Sequence, residues 1–190
     1  DLRRRLIASG YSSEDLELIL QPMVEDGKEP TGSMGDDTPL AVLSNHQRGL
    51  HHYFRQVFSQ VTNPPIDSLR EQRVMTLKTR LGNLGNVFDE DQSQANLLLL
   101  ESPVLTTSEF EGMVARMGDS VATLDATFSV VGDDKPLTAA LDRIQQEAED
   151  AVRGGKTHLV LSDENIGPER AAIPMILAAG GDAWRDVSHR

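Results

Sequence analysis

The residues best placed to do chemistry are acids, histidines and glycines, because the chain of 190 residues contains no cysteine. That absence excludes disulfides, thiolate-held iron-sulfur clusters and cysteine nucleophiles. Gly32-Ser33-Met34-Gly35-Asp36-Asp37 combines a serine with paired carboxylates. A nucleophile elbow, however, requires G-x-S-x-G between a strand and a helix, and this loop falls between helical segments. It reads as a turn built from glycine and aspartate preferences. His46, His51 and His52 invite a metal reading, but no H-E-x-x-H or comparable ligand spacing surrounds them, so they are assigned to a solvated helix start and no metal site is expected. Gly82-Asn83-Leu84-Gly85 is too sparse to cradle a phosphate and reads as a helix C-cap. Asp163, Glu164 and Asn165 follow an apolar run, and Asp125 and Asp133 flank another. Open parallel sheets bind ligands at the carboxyl ends of their strands, which makes Asp125 and Asp163 weak ligand candidates. Their acids would repel phosphate, and capping of a following helix is the preferred role for the Asp163 segment. No nucleophile-base pair and no cofactor-binding motif emerges.

The elements that must position these residues follow from hydrophobic periodicity. The first ~90 residues carry helical spacing and no strand-like alternation. Leu16, Ile19, Leu20 and Met23 form a stripe behind Ser12 and Asp15, which have capping-box spacing. Leu50, Tyr53, Phe54, Val57, Phe58 and Val61 form the longest stripe, ended by Pro64 and Pro65. Such stripes are usually core, with partner docking as the other reading. A third helix carries Val74, Leu77, Leu81 and Leu84.

From Asn96 strand and helix patterns alternate. Leu97 to Leu100 reads as a buried strand, with Ser108 and Glu111 spaced to cap the helix behind it. Leu124, Ala126, Phe128 and Val130 alternate with Asp125, Thr127 and Ser129 as one strand. An amphipathic helix then places Leu137, Ala140, Leu141, Ile144, Ala148, Ala151 and Val152 on one face and stops at Gly154 and Gly155. His158 to Leu161 reads as a further strand, and Pro168 opens a last helix through Ile173 and Ile176. The fold class is therefore α/β: parallel strand-helix units preceded by a helical arm. The sheet is short for a finished fold, so it is expected to be incomplete, and Gly180 to Asp186 break the apolar pattern where another strand would follow.

Composition narrows the partners. The formal charge of -12 opposes nucleic acid, and no apolar run reaches the length of a membrane span. No export signal opens the sequence, which leaves the cytoplasm as the expected compartment.

Several runs, taken together and in order, resemble the large subunit of glutamate synthase. They are Leu16-Glu17-Leu18-Ile19-Leu20, Asp26-Gly27-Lys28-Glu29-Pro30, the stretch from Gly32 to Ser44, Gln60-Val61-Thr62-Asn63-Pro64-Pro65-Ile66-Asp67 with Arg70-Glu71, Thr123 to Phe128, Leu159 to Asp163, Ile166-Gly167-Pro168 and Arg170 to Pro174. The likeness extends from about Tyr11 to Leu177. Ser68 stands where the family pattern has proline, and the tail from Gly180 to Arg190 departs from it.

The resemblance implies an enzyme that takes ammonia from glutamine, passes it through an internal tunnel and adds it reductively to 2-oxoglutarate at a flavin, giving two glutamates. It implies FMN and an iron-sulfur cluster in the parent, none held by this chain. By that likeness, residues 1–45 are a junction from the amidotransferase side, 46–95 the helical arm of the central domain, and 96–190 its truncated, barrel-related α/β part. The implied role is to connect the amidotransferase and FMN-binding domains of the same polypeptide. Gly32, Ser33, Met34, Gly35, Asp36, Asp37, Thr62, Asn63, Pro64 and Pro65 match motifs lying toward the neighbouring domains and the ammonia path. The isolated chain would then expose the Phe54 and Phe58 face and self-associate. The competing reading is a free-standing, non-catalytic binding module that uses the strand ends near Asp125 and Asp163.

Overall fold

A computed structural model describes residues 2–27, 29–30, 42–45, 49–54, 57, 65–86, 88–89, 92–132 and 134–188. In chain order the helices are α1 (Leu2–Ala8), α2 (Ser13–Asp15), α3 (Gln21–Glu25), α4 (Ser68–Val74), α5 (Thr107–Met117), α6 (Pro136–Arg153) and α7 (Met175–Ser188). The strands are β1 (Thr79–Leu81), β2 (Leu98–Leu100), β3 (Val121–Asp125), β4 (Thr127–Ser129), β5 (His158–Ser162) and β6 (Arg170–Ala172). The fold is α/β with small parallel and antiparallel sheets, and no barrel forms among the described residues. The chain separates into two compact units. One comprises residues 12–46 and 51–111, the other residues 1–11, 47–50 and 112–190.

In the first of these units, Ser12 and Asp15 close the expected capping box. The Asp15 backbone N–H donates to Ser12 Oγ at 3.1 Å, and the Ser12 backbone N–H donates to Asp15 Oδ2 at 2.7 Å. Between α2 and α3 the chain widens into a π-helical turn, Leu16–Leu20, in which the Gln21 N–H donates to the Leu16 carbonyl. Pro22 accounts for the widening, since it has no N–H to offer and its ring would crowd the carbonyl four residues back.

Asp67 caps α4, its Oδ1 accepting from the N–H groups of Leu69 and Arg70 at 3.0 and 2.9 Å. The helix expected through Val74, Leu77, Leu81 and Leu84 stops at Val74. Leu81 instead lies in β1, paired antiparallel with β2, Leu81 opposite Leu98. The β-branched Thr76 and Thr79 favour extended backbone there, and pairing with the leucine run outweighs a short exposed helix. Leu98 and Leu100 are half-buried while Leu99 is exposed, so this apolar run is a one-sided strand. Gly82 follows β1 and does not cap a helix. Its φ is +156° and an added Cβ would collide with the Leu97 side chain. The stripe from Leu50 to Val61 is a 3₁₀ turn over Leu50–Tyr53, after which Phe54 and Val57 are exposed. Phe58 and Val61 lie outside the described residues. α5 is capped by Thr106 with Glu109, two residues upstream of the expected Ser108 and Glu111.

In the other unit, β3 and β5 run parallel with Leu124 opposite Leu161 and α6 as the crossover. This is the strand-helix-strand module that the sequence pattern predicts. Leu124, Ala126, Ala140, Ile144, Ala148, Ile173 and Ala178 form its core, flanked by Phe128, Leu137, Leu141, Leu159 and Leu161.

The single strand expected through Val130 divides at Ala126. β3 pairs with β5, while β4 pairs antiparallel with β6, Phe128 opposite Ala171. Ala126 joins the two ladders, its N–H donating to the Ser162 carbonyl at 2.7 Å and its carbonyl accepting from the Ile173 N–H at 2.8 Å.

Pro168 opens a tight turn into β6, and the last helix begins after Pro174, whose carbonyl accepts from Leu177 and Ala178. α7 runs through Gly180 and Gly181 to Ser188, where the sequence pattern suggested a break. An added Cβ at Gly181 would stand 2.6 Å from Gln145 Nε2 on α6, the end of a flexible side chain that would have to move aside.

Candidate functional site

The carboxyl ends of β3 and β5 gather the polar side chains that the sequence singled out. Asp125 ends β3 opposite Ser162, and Asp163 follows directly on β5, so the parallel register brings both acids to one end of the sheet. Asp125 is half-buried and fully engaged. Its Oδ1 accepts from the Thr127 N–H at 2.9 Å and the Thr127 hydroxyl at 2.6 Å. Its Oδ2 accepts from Asn165 Nδ2 at 3.1 Å and from Arg170 Nη2 at 2.8 Å. Arg170 also donates from Nε and Nη2 to Thr127 Oγ1 at 3.0 and 2.6 Å.

Thr127 is completely buried although alternation placed it on the more polar face. Its hydroxyl is satisfied between a carboxylate and a guanidinium, which makes burial affordable. Burial is the strongest single influence on the Asp125 carboxyl and raises its pKa. The Thr127 hydroxyl, the Asn165 amide, the Thr127 N–H and the Arg170 charge together outweigh it and hold the pKa below the ordinary value.

Arg143 secures the same junction from α6. Its Nη2 donates to the carbonyls of Asp125 and Thr127 at 2.8 and 2.9 Å, and its Nη1 pairs with Glu147 one turn on. These two carbonyls flank Ala126, the point where the strand changes partners, so Arg143 satisfies backbone acceptors beside the break in the ladders. Sequence reasoning missed Arg143, Thr127 and Arg170 as partners of Asp125. Arg143 adjoins the buried Ile144 on the amphipathic helix, the one signal that could have placed its stem near the sheet.

Asp163 is half-buried in the turn after β5, where its carbonyl accepts from the Ile166 N–H at 3.2 Å. Among the described residues no side-chain hydrogen bond reaches its carboxylate. Asn165, expected to help cap a helix, is instead drawn to Asp125, because β6 and not a helix follows. Of the residues matched to interdomain motifs, Pro65 is an exposed bend. Gly32, Ser33, Met34, Gly35, Asp36, Asp37, Thr62, Asn63 and Pro64 lie outside the described residues, as does Asp133.

Chemically, Asp125 has both oxygens doubly engaged and an arginine at its side. It is poorly suited to take a proton or a metal and well suited to lock strand ends together. No helix of the described residues is long and apolar enough to cross a membrane.

Comparison with known proteins places this geometry in context. A family model described as "Glutamate synthase central domain" matches residues 4–182. The chain is 68% identical over 180 residues to the glutamate synthase [NADPH] large chain of Azospirillum brasilense, covering 95% of this chain and 12% of that protein. It is 44% identical over 176 residues to the ferredoxin-dependent chloroplastic glutamate synthase of Spinacia oleracea, covering 91% of this chain and 11% of the relative. It is 42% identical over 181 residues to the glutamate synthase [NADH] of Schizosaccharomyces pombe, covering 93% and 9%. The chain thus spans about an eighth or less of the relatives it matches.

Proposed function

The chain belongs to the glutamate synthase central-domain family, and from that premise we propose that it serves as the connecting domain of a glutamate synthase large subunit. In this reading it scaffolds an amidotransferase domain and an FMN-binding domain of the same polypeptide, and it helps to wall the path by which ammonia passes between them. The parent reaction is reductive transfer of nitrogen from glutamine to 2-oxoglutarate, giving two glutamates, in the cytoplasm.

The observation that carries the proposal is the match over residues 4–182 to a family described as a central domain. The Asp125 junction supports a structural role, since its charges are spent on holding β3, β4 and β6 together. The iron-sulfur cluster of the parent is assigned to other parts of the polypeptide, because this chain has no cysteine to ligate it, and the flavin is assigned to the FMN-binding domain.

The Gly32 to Asp37 segment and Thr62-Asn63-Pro64-Pro65 are assigned to the interdomain surface and ammonia path. A conduit for a small neutral amine favours stiff backbone and uncharged polar groups, which the Pro-Pro pair and the Thr-Asn pair supply. Exposed Tyr53, Phe54 and Val57 add apolar surface suited to a neighbouring domain.

Size-exclusion chromatography with light scattering tests the proposal. The purified chain is mixed with a separately expressed FMN-binding domain from a related enzyme. A stable complex of the two is the expected result. A chain that ignores that domain and remains monomeric would count against the connector role.

A further inference from the structure

Away from the Asp125 junction, the unit of residues 12–46 and 51–111 brings together an acid and two histidines that nothing in the connector role uses. Asp15, His51 and His52 each present one ligand atom, and these atoms all lie within 4.8 Å of one another. Asp15 is held in place by the capping box at the start of α2. Its Oδ2 accepts both the Ser12 N–H and the Ser12 hydroxyl, at 2.7 Å each. Among the described residues Oδ1 has no hydrogen bond, so the carboxylate is oriented by one oxygen and offers the other.

The two histidines are consecutive in the 3₁₀ turn Leu50–Tyr53, their ring centroids 4.1 Å apart and tilted by 37°. His51 is exposed and His52 half-buried. His52 Nδ1 is buried and makes no hydrogen bond with any described residue. A buried polar atom without a partner is unfavourable, and native structures rarely leave one unless something else engages it.

We propose that Asp15, His51 and His52 form a binding site for a divalent cation of the zinc type. Two imidazoles and one carboxylate are a donor set for Zn²⁺, or for Co²⁺ and Ni²⁺ in its place, whereas Mg²⁺ and Ca²⁺ call for oxygen ligands throughout. Ligands at ~2.1 Å from a tetrahedral ion stand about 3.4 Å apart, so closing the set from separations of up to 4.8 Å calls for side-chain rotation. Three protein ligands leave one position open to water, as in sites that are exchangeable or reactive. The ion would tie the start of the α2 helix to the turn at Leu50–Tyr53, two segments far apart in the chain.

No local motif announces the site, because the acid and the histidine pair are separated by the whole stretch from Leu16 to Leu50. The inference stands apart from the connector role, since metal binding and domain docking are measured separately.

Metal titration of the chain, stripped with chelator and desalted, tests the proposal. Co²⁺ should give visible d–d absorption saturating at one equivalent, and Zn²⁺ should abolish it by displacement. His51→Ala and His52→Ala should each weaken Zn²⁺ binding by at least about tenfold, by analogy with losses seen around metal sites. His158→Ala, outside the cluster, should bind as the parent does. His51 is exposed, so its variant keeps the fold, which far-UV circular dichroism checks. Wild-type affinity in a His51→Ala/His52→Ala double variant, or no Co²⁺ absorption at saturating metal, would overturn the assignment.

Discussion

Replacing Arg170 with alanine removes the cation on which the strand junction depends, and the structure fixes where the loss falls. The guanidinium contacts Asp125 Oδ2 once, at 2.8 Å, and Thr127 Oγ1 twice, at 2.6 and 3.0 Å. The Arg170 and Asp125 side chains retain 43% and 31% of their exposure, so solvent screens the ion pair and limits its contribution to about 0.5 kcal/mol. Thr127 is wholly buried, and its oxygen would lose both of the guanidinium donors, a cost of about 1 to 2 kcal/mol. The expected sum is about 2 kcal/mol, which for a chain of this size lowers Tm by about 4 to 8 °C.

Thermal and urea unfolding followed by circular dichroism measure this loss. Hydrogen exchange at the Ala126 and Ile173 amides shows whether it is felt at the junction itself. Acid provides an internal control. Asp125 has its pKa lowered in the folded chain, so its stabilising contribution is present above 3.8 and is lost as pH falls through the lower folded value. The difference between Arg170→Ala and the parent should therefore shrink below that pH as the Asp125 charge disappears. A change within about 0.5 kcal/mol at neutral pH, the range of ordinary surface substitutions, would refute the reasoning. So would full additivity with Asp125→Asn, because groups in one network must couple.

Other perturbations separate the remaining supports. Ile144→Ala truncates one of the two fully buried isoleucines of the core and should cost about 3 kcal/mol in urea unfolding. Gly155→Ala puts a Cβ at φ +87°, just past the end of α6, and should destabilise by about 1 kcal/mol in the same assay. Ser12→Ala breaks the capping box and should cost about 1 kcal/mol. The chain should self-associate with rising concentration, read by light scattering, and a Phe54→Glu/Val57→Glu variant should stay monomeric because both side chains are exposed.

The sequence was most legible where one periodicity acted without competition. α6 forms where the Leu137 to Ala151 stripe predicts and stops at Gly154, and the Ser12-Asp15 box caps the helix it was expected to cap. It was least legible where a partner distant in the chain decides the outcome. Leu81 has helical spacing from Val74 and Leu77, yet it is a strand because Leu98 pairs with it. Thr127 alternates as a polar-face residue, yet it is buried because Arg170, far along the chain, reaches its hydroxyl. Asp125 was marked from local position alone, but its four donors come from Thr127, Asn165 and Arg170, and no spacing rule joins those three.

Those donors also distinguish a joint from a site. Acids at the carboxyl ends of parallel strands are ligand candidates because the ends converge there, but convergence supplies partners as readily from the protein as from solution. Asp125 shows the first outcome: each oxygen accepts two donors, and Arg143 takes up the carbonyls on either side of Ala126, where one strand leaves the parallel ladder for the antiparallel one. A backbone that changes partners exposes polar groups at the break, and those groups must be satisfied if the break is to be buried. The arginines and the aspartate meet that requirement, which explains why charged residues crowd a junction whose central residue, Ala126, is fully buried. Asp15 shows the opposite pattern: Ser12 fixes only one of its oxygens, and the carboxylate lies in a cluster with two imidazoles. Of the two acids, it is the one whose geometry still calls for a partner from outside the chain.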